Sequence, residues 1–171
     1  MNSFKYTFFL ILLFILQTVF LPRFTILGAY ANLFFVLVII VSVLRGSRLG
    51  ALYGLGFGIL LDLFSSGLYA HTISLVLFAF VVMMIEKSFA GDDLKSTLTL
   101  ILILSPLYGL FNFGLLRVIY NLNFALSGVL IVLLVSTAFN VVAGFLMYSI
   151  VRRHLVGPGV QVRKSDVITH F

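Results

Sequence analysis

The chain contains no cysteine, so disulfides, thiolate metal sites and thiol catalysis are all excluded. Charge is nearly as scarce. Charged side chains make up 9% of the 171 residues, where a water-soluble domain carries about a quarter. That leaves too little polar surface to coat a globule in water, and no polar stretch is long enough to build a separate soluble domain. Acidic residues are the scarcer sign, 5 against 11 basic ones. The basic residues are scattered singly or in pairs between apolar segments, whereas nucleic-acid binding needs a dense patch. No nucleic-acid partner is expected. Tryptophan is absent too, while phenylalanine occurs 19 times.

What fills the chain is apolar. Hydrophobic residues make up 62% of it, in six stretches of about 20 residues, each long enough to cross a bilayer. The stretches cover residues 4–21, 26–44, 49–64, 68–85, 97–120 and 126–151. The first lacks a small-residue cleavage site after its apolar core and reads as an uncleaved helix. The expected fold is all-α: a polytopic membrane protein, a compact bundle of six transmembrane helices over residues 1–153, followed by a polar, disordered cytoplasmic tail at 154–171. Arg45, Arg48, Arg152 and Arg153 are the main topology determinants. With the amino terminus in the cytoplasm, nine Lys and Arg fall on that side and only Arg23 and Arg117 on the other, so both termini are expected to be cytoplasmic. Tyr53, Tyr69, Tyr108, Tyr120 and Tyr148 are candidate anchors at the lipid headgroups.

The third stretch carries the most specific pattern. Gly50, Gly54, Gly58 and Asp62 recur every four residues and form one stripe along a helix. Glycines so spaced let another helix approach closely, either inside the bundle or from a partner protein. Asp62 is the only acidic residue within a stretch. A carboxylate in hydrocarbon costs roughly 3 kcal/mol on insertion scales, so it must be paired, neutral or near an aqueous rim. Arg117 falls at a comparable depth, and the expectation is that Asp62 and Arg117 pair or share a polar pocket. Gln17, Ser105, Asn112, Ser136, Thr137 and Asn140 are further polar residues within the stretches, each able to hydrogen-bond across helices. Pro106 should kink its helix.

No catalytic set emerges. A carboxylate dyad needs two acids together in the membrane, and only Asp62 qualifies. Asp92 and Asp93 read as a solvated turn; His71, His154 and His170 lack metal-ligand spacing. Neither a nucleophile elbow nor a phosphate loop is present. An enzyme is not expected, and neither a metal nor a cofactor is implied.

One run has a familiar look. Ala31-Asn32-Leu33, an apolar helix, Leu44-Arg45-Gly46, then Gly50-Ala51 through Gly54 and Gly58 to Leu61-Asp62-Leu63 and Ser66-Gly67 resembles the MreD family of rod-shape-determining bacterial inner-membrane proteins. Ala31 stands where that family often has proline. The resemblance implies a fold similar to the six-helix substrate-binding subunits of energy-coupling-factor transporters. It also implies a non-catalytic scaffold of the elongation machinery that binds MreC directly and, within the assembly, joins MreB, RodA and a class B penicillin-binding protein. The implied effect is on lateral peptidoglycan synthesis and rod cell shape. The alternative is a vitamin-like substrate-binding subunit of a transporter. Against it, the first stretch is bulky almost throughout and lacks the small-residue face with which such subunits meet their coupling partner.

Overall fold

In lipid, backbone amides have no water to bond, so apolar runs close their hydrogen bonds internally as helices. The computed structural model describes residues 3–65, 69–86, 93–121 and 125–155. These form six α-helices and no strand: α1 Ser3–Ile15, α2 Leu33–Arg45, α3 Ser47–Ser65, α4 Ala70–Glu86, α5 Leu94–Tyr120 and α6 Leu126–Leu155. A π-helical turn, Leu16–Phe20, and a 3-10 turn, Leu21–Arg23, prolong α1. Three helices are long and apolar enough to cross a membrane, at Ser47–Phe64, Leu94–Ile119 and Ser127–Arg153. The chain is an all-helical membrane protein.

The other three apolar helices are shorter than the expected spans. The second departs most: it starts at Leu33, not at residue 26. Residues 26–29 instead close a tight turn, in which the Ile26 and Ala29 amides each donate to the other's carbonyl at 3.0 and 2.9 Å. Gly28 supplies the φ of +76° there, a conformation that suits a residue without Cβ. Asn32 then caps α2, its side-chain oxygen accepting from the Phe35 amide at 3.0 Å. Hydropathy alone reads straight through such a turn. At the other end α2 leads into α3 across Gly46 alone, at φ +93°, so the basic loop is a one-residue corner. Asp93 is a helix cap, not merely a solvated turn: it accepts from the Ser96 amide at 3.2 Å and starts α5. Hydrogen bonds from Ser96 hold its carboxyl below the usual carboxylate range. Helix α5 continues through Pro106, and α6 runs two residues past the expected domain boundary. Residues 156–171, most of the expected tail, lie outside the described residues.

Helix α2 is the axis of the molecule. Every residue from Phe34 to Val43 is buried, as expected for a helix that is hydrophobic all round. Its 13 residues rise only about 20 Å. Phe34 stacks on Phe57 of α3 with ring centres 4.4 Å apart, and Phe35 meets Tyr108 of α5 at 4.5 Å. Tyr108 and Tyr148 are thus core residues, 5% and 3% exposed, and not headgroup anchors; Tyr69 is exposed. Neighbouring contacts fix the directions. Ser42 faces Gly50, and Gly54 and Gly58 face Leu75 and Thr72, so α3 runs antiparallel to α2 and α4. Asn140 bonds Ser105 while Gly144 meets Ile101, which makes α5 and α6 antiparallel.

The glycine stripe lies inside this arrangement. A Cβ on Gly50 would strike Ser42 of α2; one on Gly54 would lie 3.0 Å from the Leu75 carbonyl carbon; one on Gly58 would lie 3.0 Å from the Thr72 nitrogen and closer still to its Cα. All three glycines let backbones approach within the chain, and none remains open to a partner protein. Gly56, off the stripe, has open space where its Cβ would be.

Candidate functional site: a polar cavity and an apolar groove

The start of α2 meets the end of α1 and the middle of α5 and α6, and polar groups come together there. The π-helical turn carries Gln17, buried at 5% exposure, and Gln17 Oε1 accepts from the Leu33 amide, the first of α2, at 2.6 Å. The Asn32 amide donates to Asn140 Oδ1 at 2.7 Å, and Asn32 Nδ2 donates to the Tyr108 hydroxyl at 3.0 Å. Asn140 Nδ2 in turn donates to Ser105 Oγ at 2.6 Å. One helix start buried in the bundle is thus satisfied by α1, α5 and α6 together. A buried helix end needs such partners, since each orphaned amide would cost about 1–3 kcal/mol. Ser136 and Thr137, by contrast, donate to Leu133 O within their own helix.

Asp62 performs the same task for α4. Its Oδ1 accepts from the His71 amide at 3.0 Å; its Oδ2 accepts from the Thr72 amide at 2.9 Å and from Thr72 Oγ1 at 2.6 Å. The expected pairing with Arg117 is not formed. No ion pair joins them among the described residues, and Arg117 is exposed on α5. A carboxylate needs donors, not a formal positive charge, and the first amides of α4 supply them with the helix dipole behind them. The topology determinants Arg45, Arg48, Arg152 and Arg153 are all exposed, where α2 meets α3 and where α6 ends. Arg152 lies over the Tyr148 ring, 5.9 Å from its centre.

Beside the capping network lies a cavity of about 260 Å³, lined by Gln17, Thr18, Tyr30, Asn32, His71 and Asn112, with Pro22, Leu61 and Phe64 as its apolar wall. Asn112 Nδ2 lies 3.5 Å from His71 Nδ1, while Asn112 Oδ1 is buried without a partner. Along the side of the molecule runs a second, larger concavity of about 640 Å³ between α1 and α3. Thr7, Leu10, Ile11 and Phe14 form one wall; Leu52, Gly56, Leu60 and Phe64 form a four-residue stripe along the other. Phe64 belongs to both concavities.

Sequence reasoning singled out Gln17, Asn112 and Asn140 as polar intramembrane residues but did not place them on one face. Asn32 was noticed only within the family-like run, and its central role was missed; an Asx residue directly before an apolar run is the signal that marks it. Gly56 was passed over because it falls off the four-residue period. Among the described residues no group of His, Asp and Glu could hold a metal. No protein-family model matches the chain, and neither a curated protein nor a solved structure does.

Proposed function

We propose that the chain is a non-catalytic scaffold subunit of MreD type, a six-helix bundle in the bacterial inner membrane with both termini cytoplasmic. In this reading it binds MreC directly and helps to position lateral peptidoglycan synthesis with MreB, RodA and a class B penicillin-binding protein. The observation that carries the reading is the contrast between a closed core and an open side. The glycine stripe and the polar caps hold the helices of this chain to one another, whereas the groove between α1 and α3 stays unfilled. Its walls are helical stripes, and the α3 wall is open at Gly56, which suits a transmembrane helix docking by close packing.

Gly56→Leu tests this. A Cβ at this position meets nothing in the chain itself and the rest of the leucine extends into the groove, so the bundle should purify and melt like wild type. Recovery of MreC with the tagged chain from bacterial membranes should fall at least tenfold. Undiminished recovery would remove the groove as the docking face. The competing reading, a vitamin-like substrate-binding subunit, is favoured by the polar cavity; it predicts recovery of a coupling ATPase in place of cell-wall proteins.

A further inference from the structure

The cavity holds more hydrogen-bonding capacity than the fold uses. Asn32 is engaged at its amide, Oδ1 and Nδ2. Gln17 uses its oxygen on Leu33, while its Nε2 has no partner among the described residues. The same is true of His71 Nε2 and the Tyr30 hydroxyl. Asn112 Oδ1 is buried and unpartnered. A buried acceptor left unsatisfied costs about 1–3 kcal/mol, which a ligand offering a donor would remove.

Asn112 Nδ2 can only donate to His71 Nδ1, which puts the ring proton on Nε2. The available set is therefore two donors, one acceptor and one hydroxyl that serves as either. All are uncharged amides, imidazole or phenol. No Lys or Arg lines the cavity to balance a phosphate. No free carboxylate is there to balance an amine, because the Asp62 oxygens are taken by His71 and Thr72. A hydroxyl both donates and accepts, so a cluster of hydroxyls matches this mixed set where an ion does not. The Phe64 ring supplies an apolar wall of the kind that packs on the C–H face of a sugar. The volume of about 260 Å³ falls just under the ~300 Å³ at which drug-sized pockets begin and suits one ring with its substituents.

We infer that the cavity of Gln17, Tyr30, His71 and Asn112 is a binding site for an uncharged sugar group. Such a group comes either as a free solute or as the headgroup of a glycolipid. Phe64 lines both cavity and groove, so the chains of a glycolipid would have an apolar path onward between α1 and α3. The inference does not depend on the scaffold reading.

The full chain in phosphatidylcholine nanodiscs serves as the test material. Saturation-transfer NMR with glucose and N-acetylglucosamine probes the free solute; native mass spectrometry with monoglucosyldiacylglycerol, against phosphatidylglycerol, probes the headgroup. Binding in either arm supports the site and identifies the source. Asn112→Leu should weaken it at least tenfold while the melting temperature holds or rises, since leucine removes the orphaned oxygen. A merely structural asparagine would lower the melting temperature instead. Tyr30→Phe, at a half-exposed position, should weaken binding several-fold and decides the matter if Asn112→Leu does not fold. No binding of any sugar probe, equal binding of phosphatidylglycerol, or unchanged affinity in both variants overturns the inference.

Discussion

Gly58→Leu should abolish the folded bundle, while Gly56→Leu two residues earlier should leave it intact. The two positions share a helix and a residue type, but an added Cβ meets opposite surroundings. At Gly58 it would be driven into the Thr72 backbone, whereas at Gly56 it meets open space. Backbone cannot rotate aside as a side chain can, so α3 and α4 must part. Overpacking a core with side-chain give costs about 1–3 kcal/mol. Here the damage spreads, because Asp62 sits one turn beyond Gly58 on the same face and its bonds to His71 and Thr72 require the two helices in contact. The measurement is the yield of monodisperse protein in mild detergent and its melting temperature. Equal behaviour of the two variants would show that the close approach of α3 and α4 does not govern the fold.

Asp62→Ala should cost about 3–6 kcal/mol, the second-largest single-residue effect, because it strands three donors at roughly 1–3 kcal/mol each with some relaxation. The donors are the His71 and Thr72 amides and the Thr72 hydroxyl. Asp62→Asn should fall between, since one of its two terminal atoms can no longer accept. Arg117→Ala, at an exposed position without the expected partner, should change stability by no more than about 0.5 kcal/mol. The charge-swapped double variant, Asp62→Arg with Arg117→Asp, should be as unstable as Asp62→Arg alone. Chemical denaturation of the five variants in one detergent decides it. Recovery of stability in the swap would restore the ion pair and sink the capping account.

The parts of this fold that follow from spacing were legible in the sequence. Gly50, Gly54, Gly58 and Asp62 fall every four residues, and the structure places the three glycines at backbone crossings inside the bundle, with Asp62 on the same line. The helical class and three membrane-long helices follow equally from composition and run length. What failed was whatever depended on a partner distant in sequence. Asp62 was matched to Arg117 by depth and sign, yet a carboxylate is satisfied by the nearest convergent donors, here the amides of the next helix. The groove at Gly56 and the cavity at Asn112 arise from how α1 leans on its neighbours, and no local pattern encodes that angle. The start of α2 was misplaced because an apolar turn and an apolar helix have the same hydropathy. Only Gly28 and Asn32 separate them.

The buried α2 also bears on biogenesis. Ribosomes deliver helices in order, yet the second helix is finished by the last: Asn32 and Leu33 are held by Gln17, Tyr108 and Asn140, on helices synthesised before and long after them. At about 20 Å it is too short to span a typical hydrocarbon core of ~30 Å unaided. A nascent chain stopped at residue 121 would expose the Asn32 amide and one flank of the central rod. It should be cleared by membrane proteases unless α6 is supplied as a separate polypeptide. Maturation of this molecule is therefore set by its carboxyl-terminal helix, which closes the bundle around a centre threaded in long before it.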